Sequence, residues 1–267
     1  MKKSEGILYR EWKAARPGAV FLLVHGLGGH SGRWEFLAEF FLRRNVSSYA
    51  IELKGFGETQ GLKGHIDSLD TYLDDIQILC NIITRENPGK KIILLGESMG
   101  GLIIFLMAGR RPGLFDGVVC ISPAIKSKIR FNVFGYIDIF LNYIIRPKKQ
   151  YRVKLDSSMC TRDVEYKKVM DSNPSEHRLV TSNLLVSLAK AQVEARRLKG
   201  SIAAPLLFLV SGDDVLVDSE KTKIFFRGLA AKDKTIIVYP EMYHALSIDI
   251  GREKVFGDIL KWVEERV

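Results

Sequence analysis

The chain has 267 residues, 46% of them hydrophobic and 27% charged, with a formal net charge of +9. That length can bury one sizeable core, and the composition is that of an ordinary globular protein; both exclude global disorder and favour one domain with an insertion over two independent domains. Three widely separated cysteines, Cys80, Cys120 and Cys160, suggest neither a disulfide framework nor a structural zinc site, so a reducing compartment is expected.

The N-terminal text MKKSEGILYREWK meets Glu5, Arg10 and Glu11 before any apolar run forms, unlike a signal peptide. Ile7–Trp12 alternates weakly and reads as an edge strand, whereas the continuous apolar run Ala19–Val24 suits a strand buried on both faces. Residues 33–44 carry Trp34, Leu37, Phe40 and Phe41 at helical spacing, and residues 46–51 return to the sheet. A second helix is predicted over residues 66–87, with Asp67 and Ser68 as capping groups and Pro88-Gly89 as its stop. Residues 92–95, 99–107 and 115–121 then read as strand, helix and strand.

This rhythm predicts an α/β fold with a mainly parallel sheet and right-handed crossovers. It breaks at Ser122-Pro123, and no convincing sheet strand follows until residues 205–210. A helix near residues 219–229, a strand at 235–239 and an amphipathic helix over 252–265 complete the pattern. The middle segment is therefore an insertion, placed as a lid over the crevice at the carboxyl ends of the strands. Its most apolar stretch, residues 131–145, is shorter than the roughly 20 residues that span a bilayer, but it can lie on one. The net charge favours anionic partners, including anionic lipid surfaces. Nucleic acid is not expected, because the basic residues are scattered and no binding module accompanies them.

The chemistry centres on Gly96-Glu97-Ser98-Met99-Gly100-Gly101, which follows a strand and precedes an apolar helix. Small residues there permit the sharp turn of a nucleophile elbow, which lifts a serine hydroxyl above the sheet. A serine needs a base, and the base an orienting acid. Of five histidines, His244 alone sits after the last predicted strand; His177, in polar text, reads as a solvated surface residue. The acid should follow residues 206–210, where Asp213 and Asp214 are adjacent and only one can reach the imidazole, while Asp218 can simply cap a helix. The Met99 N–H, at the positive end of the following helix, and the Leu27 N–H, in the glycine-rich loop at residues 25–32, are the expected oxyanion donors. That loop lacks the G-x-G-x-x-G pattern and the lysine of a nucleotide site, and His25 is expected to brace it.

Together these stretches resemble the monoacylglycerol lipase and lysophospholipase branch of the α/β-hydrolases. The matching text includes HGLGGHSGRW from His25, GHIDSLDTYLDD from Gly64, GESMGG from Gly96, LDSSMCTRD from Leu155, SGDDVLVD from Ser211 and YHAL from Tyr243. The resemblance implies an α/β-hydrolase core at residues 1–125 and 200–267 and a helical cap at 126–199, inserted after the sixth core strand. It implies Ser98 as nucleophile, Asp214 as acid, His244 as base, and Leu27 and Met99 as oxyanion donors, with no cofactor and no metal.

The sequence departs from the family where an aspartate and a G-H-G-x-S turn are usual. Here the text is Glu52-Leu53-Lys54-Gly55-Phe56-Gly57, which puts the bracing of the oxyanion loop in question and offers Phe56 as apolar surface at the entrance. Phe134, Ile137, Phe140, Leu141 and Ile144 of the cap are expected to bind an acyl chain, unless that run only packs on the core. The expected activity is hydrolysis of long-chain monoacylglycerols through an acyl-enzyme, in the cytoplasm and with peripheral membrane contact. The alternatives are a lysophospholipase, a broad carboxylesterase or a non-catalytic ligand-binding scaffold.

Overall fold

In the computed structural model, which describes residues 1–266, the run Ala19–Val24 forms strand β3 and is buried along its whole length. Its side chains alternate between two cores: Val20, Leu22 and Val24 enter one, Phe21 and Leu23 the other. A period-two strand that is apolar at every position needs both faces covered, and helices supply that cover. On the first face lie α2 (Asp70–Glu86), α3 (Met99–Arg110) and α8 (Ser219–Arg227); on the second lie α1 (Glu35–Leu42) and α9 (Arg252–Glu264). Val267, the last residue of the predicted core segment, lies outside the described residues.

The remaining strands of the main sheet are β1 (Lys2–Ser4), β2 (Ile7–Trp12), β4 (Val46–Glu52), β5 (Lys91–Glu97), β6 (Gly117–Ile121), β9 (Leu206–Ser211) and β10 (Lys234–Tyr239). They stand in the order β1-β2-β4-β3-β5-β6-β9-β10, antiparallel at β1-β2-β4 and parallel elsewhere. This is the α/β-hydrolase fold, with a mostly parallel sheet between helical layers. The chain runs from β3 outward to β4, then returns to place β5 on the other side of β3. That reversal opens a crevice where the loops after β3 and β5 meet.

Ile7–Trp12 is not the edge strand expected, because Lys2–Ser4 pairs outside it. The first predicted helix is divided, a tight 3-10 turn at Ser31–Trp34 preceding α1. Of the two capping groups proposed for α2, Ser68 accepts the Asp70 N–H at 3.2 Å, while the Asp67 side chain is exposed.

Between Ile121 and Leu206 the chain adds no strand to the main sheet. It forms α4 (Val133–Ile145), β7 (Gln150–Arg152), α5 (Ser157–Cys160), α6 (Val164–Ser172), β8 (Leu179–Thr181) and α7 (Ser182–Arg197). Strands β7 and β8 pair antiparallel as a separate two-stranded ribbon. Three residues apiece are too few for alternation to reveal them in the sequence. Among the described residues no helix is long and apolar enough to cross a membrane.

Candidate active site

Strand β5 ends at Glu97 and α3 begins at Met99, so Ser98 occupies the turn itself, with φ 58° and ψ −118°. A non-glycine residue there is strained, and the surrounding contacts must hold it. Ser98 N–H donates to Ile121 O at 2.9 Å, and Ser98 O accepts from Leu102 N–H and Ala124 N–H at 3.1 and 2.9 Å. The flanking glycines are steric requirements: a Cβ on Gly96 would lie 2.6 Å from the Gly100 backbone, and one on Gly100 would lie 2.1 Å from Val24 O.

The structure brings Ser98, His244 and Asp214 into one chain of hydrogen bonds. Ser98 Oγ stands 2.8 Å from His244 Nε2, and His244 Nδ1 stands 2.7 Å from Asp214 Oδ2. Asp214 Oδ1 accepts the Leu216 and Val217 N–H groups, both at 2.8 Å. Burial pushes the Asp214 carboxyl up, but His244 and those two donors outweigh it and hold it below the usual carboxylate value. Burial likewise pushes His244 down, and the facing carboxylate of Asp214 reverses this and raises its pKa above the ordinary 6.5. Nδ1–H therefore points to an ionised carboxylate, leaving Nε2 as acceptor for the Ser98 hydroxyl. Asp213, by contrast, is exposed.

The loop carrying His244 is anchored on both sides by carboxylates that sequence reasoning missed. Glu97, buried beside Ser98, accepts the Ser247 N–H at 3.1 Å and the Ser247 hydroxyl at 2.9 Å. Asp249, fully buried, accepts the Tyr243 N–H at 2.8 Å and the Arg162 N–H at 2.6 Å. Thr161 also donates to Asp249, at 3.1 Å, so the insertion is fastened to the histidine loop. The signal available in the sequence was only the presence of acids close to Ser98 and His244.

Leu27 and Met99 both line the cavity that contains Ser98 and His244. Among the described residues neither backbone N–H has a protein acceptor. The loop after β3 presses on the elbow: a Cβ on Gly26 would lie 3.1 Å from Ser98 Cβ. His25 braces that loop, donating from Nδ1 to Gly26 O at 2.9 Å and accepting the Leu53 N–H at Nε2, 3.1 Å away. Burial lowers its pKa to about 4, so the ring is neutral. The bracing put in question by Glu52 is present: its carboxylate accepts the Ser31 N–H at 2.6 Å and the Glu58 N–H at 2.7 Å. The longer side chain is accommodated because Gly57 leaves room; a Cβ there would lie 1.6 Å from Glu52 Oε1.

The cavity over Ser98 measures about 470 Å³ and is lined mainly by apolar groups from α3, α4, α7 and the Leu216-Val217 turn. Of the six residues expected in its walls, five lie elsewhere. Phe56 is not at the entrance: it is fully buried, packed edge-on against His25 with ring centres 5.9 Å apart. Helix α4 turns Tyr136, Ile139 and Phe140 toward the cavity, so Phe140 lines it as expected. Phe134, Ile137, Leu141 and Ile144 do not line it, and Phe134 is 81% exposed. Inward positions separated by three and four residues share one helical face, which sends the others outward. The His177 side chain is part-exposed, while its main-chain N–H donates to Gly28 O at 2.9 Å beside the oxyanion loop. A larger hollow of about 600 Å³ beside β1 and β2 does not include Ser98 or His244.

Comparison with known proteins gives a consistent picture. The family model described as Serine aminopeptidase, S33 matches residues 15–251. "Monoglyceride lipase" of Homo sapiens is 29% identical, over 96% of this chain and 86% of its own. "Phospholipase YtpA" of Bacillus subtilis (strain 168) is 30% identical over 92% of this chain and 95% of its own. The crystal structure of Paleococcus ferrophilus monoacylglycerol lipase superposes with a TM-score of 0.89 at 27% identity, covering 98% of this chain and 99% of that one.

Proposed function

The chain belongs to the serine aminopeptidase family, and from that premise we propose that it hydrolyses long-chain monoacylglycerols to fatty acid and glycerol. The observation that carries this reading is an apolar cavity opening directly onto a serine already hydrogen-bonded to a buried His-Asp pair. A peptide's free α-amino group needs an acidic partner. Among the residues lining this cavity there is no Asp or Glu, and the single charged side chain is Lys126, which repels an ammonium.

In the proposed reaction Ser98 Oγ attacks the ester carbonyl while His244 Nε2 takes its proton. The oxyanion is held by the Leu27 and Met99 N–H groups. Collapse expels the glycerol alkoxide, protonated by His244, and leaves the acyl group on Ser98. Water then attacks, activated by the same imidazole, and the fatty acid departs. Residues 126–199 act as the cap that shapes the acyl site. Each methylene withdrawn from water contributes about 0.8 kcal/mol, so several outweigh a modest head-group preference.

Lys126 supports a second reading, a lysophospholipase, because an ammonium without an acidic partner in the cavity wall suits a phosphate-bearing head group. A panel of monoacylglycerols of increasing length, lysophospholipids and a short uncharged ester separates the two. The expected result is kcat/KM rising with acyl length and highest for monoacylglycerols, with Lys126→Gln changing these values less than about threefold. A preference for lysophospholipids that Lys126→Gln removes supports the second reading; a flat length profile contradicts the long-chain assignment.

We further propose peripheral contact with anionic lipid surfaces through the outer face of α4. Val133, Phe134, Ile144 and Ile145 are between 64% and 81% exposed there, and Arg146 and Lys148 follow directly. Lys149 is engaged instead with Asp138 at 2.8 Å. Burying one such side chain contributes roughly 1.5–3 kcal/mol. Phe134→Ser with Ile144→Ser should therefore weaken sedimentation with anionic vesicles by about 100-fold or more. Lys148→Gln should weaken it only at low salt. Unchanged vesicle binding in the double variant would remove this surface from the account.

A further inference from the structure

The glycine-rich loop that carries the Leu27 N–H is held from below by His25 and Glu52, but it is also held from above by the insertion. Arg33, at the end of that loop, makes a two-pronged ion pair with Glu176 of the segment between α6 and β8, its Nε 2.6 Å from Oε1 and its Nη2 bonded to Oε2. Both side chains are about nine-tenths buried, at 8% and 10% exposure. The adjoining residue adds a main-chain bond, His177 N–H to Gly28 O at 2.9 Å. Asn173 reaches His30 Nε2 at 3.1 Å.

The contact is close enough to explain the glycines. Gly28 has φ +78°, and a Cβ on it would lie 2.6 Å from His177 O; a Cβ on Gly29 would lie 3.0 Å from Arg33 Nε. The loop is thin because the insertion sits on one side of it and the Arg33 side chain on the other. A buried two-pronged pair is directional, and it fixes the orientation of its partners relative to each other.

We propose that Glu176 is a positioning residue: through Arg33 and the adjoining His177–Gly28 bond it fixes the loop that presents the Leu27 N–H. The oxyanion hole is then complete only while residues 173–177 are docked. The insertion thereby takes part in the chemistry as well as in acyl binding, and cap seating is coupled to transition-state stabilisation. This inference rests on the hydrolase reading given above.

The test compares the full chain with Glu176→Gln, and with the double variant Arg33→Gln, Glu176→Gln, which leaves no lone buried charge to disrupt folding. Steady-state kinetics use a short uncharged ester that needs little of the acyl cavity. Inhibition uses a trifluoromethyl ketone, which adds Ser98 Oγ and places an oxyanion in the hole, beside the matching alcohol, which cannot. Outright loss of one oxyanion donor costs about 10²–10³ in kcat. The proposal predicts a fall in kcat of about tenfold or more in both variants, with KM within about twofold, on the scale of a displaced donor. Ketone affinity should fall in parallel while alcohol affinity holds, and in the double variant the acidic limb of the pH profile should move only towards higher pH, because the Arg33 charge that lowers the His244 pKa is gone. Full kcat in the folded double variant, or a loss of kcat with ketone affinity unchanged, overturns it. Turnover and ketone inhibition of the unmodified chain test the hydrolase reading itself, so either can fail alone.

Discussion

Ser98→Ala removes essentially all ester turnover, and His244→Ala does the same. Neither side chain serves mainly to fill the core: Ser98 Oγ faces the cavity, and the His244 ring bridges Ser98 and Asp214. Alanine keeps the Cβ of Ser98, so the elbow and its backbone bonds to Ile121, Leu102 and Ala124 persist. Groups acting as one catalytic unit fail together, and single loss of nucleophile or base in a serine triad costs about 10⁶-fold in kcat. Combining both changes should therefore cost little more than either alone. The measurements are kcat at saturating substrate and the thermal midpoint. Most of the activity surviving in either folded variant would refute that residue's role.

Asp214→Asn is expected to reduce kcat by about 10⁴-fold, the scale on which a triad loses its orienting carboxylate. The amide is the same size, but it lacks the charge that favours imidazolium and permits the wrong ring tautomer. Asp213→Asn is expected to change little, since its side chain is exposed while Asp214 is buried against His244. A larger loss from Asp213→Asn would move the acid by one position. The same pair sets the pH dependence. The base must be neutral to accept the serine proton, and Asp214 raises the His244 pKa above 6.5. Activity in kcat/KM should fall as pH drops through a value above 6.5, not below it, and the residual activity of Asp214→Asn should show that limb displaced to lower pH.

Much of this arrangement was legible in the sequence because the signals are local. Ala19–Val24 is apolar at every position, which only a strand covered on both faces requires, and it is β3 to the residue. The elbow is legible because strand, glycines and helix are contiguous, and His244 because it follows the last strand. Asp213 and Asp214 were not separable by position alone, since neighbouring residues differ only in where the turn sends them. The backbone bonds from Leu216 and Val217 make that choice.

What was hidden depends on contacts between distant residues or on which face of an element is covered. Helix α4 is apolar nearly all round, so its pattern could not say that Tyr136 and Ile139 turn inward while Ile137 and Ile144 turn outward. Phe56 read as an entrance residue because it stands in place of an imidazole, yet the turn tucks it beneath His25. The Arg33–Glu176 pair joins residues 143 apart, and nothing local to either announces the other. Glu176 lies in polar text of the kind that ordinarily faces solvent; its side chain is covered where it pairs with Arg33 of the loop after β3.

The central claim, that Ser98 carries the acyl group of a long-chain monoacylglycerol, is tested most directly by active-site titration with a fluorophosphonate. Labelling should follow one equivalent per chain, with the added mass on the peptide containing Ser98. Hydrolysis of a long-chain monoacylglycerol should fall linearly to zero as labelling reaches completion. Fully labelled protein that still hydrolyses the substrate, or a label on any residue other than Ser98, would contradict it.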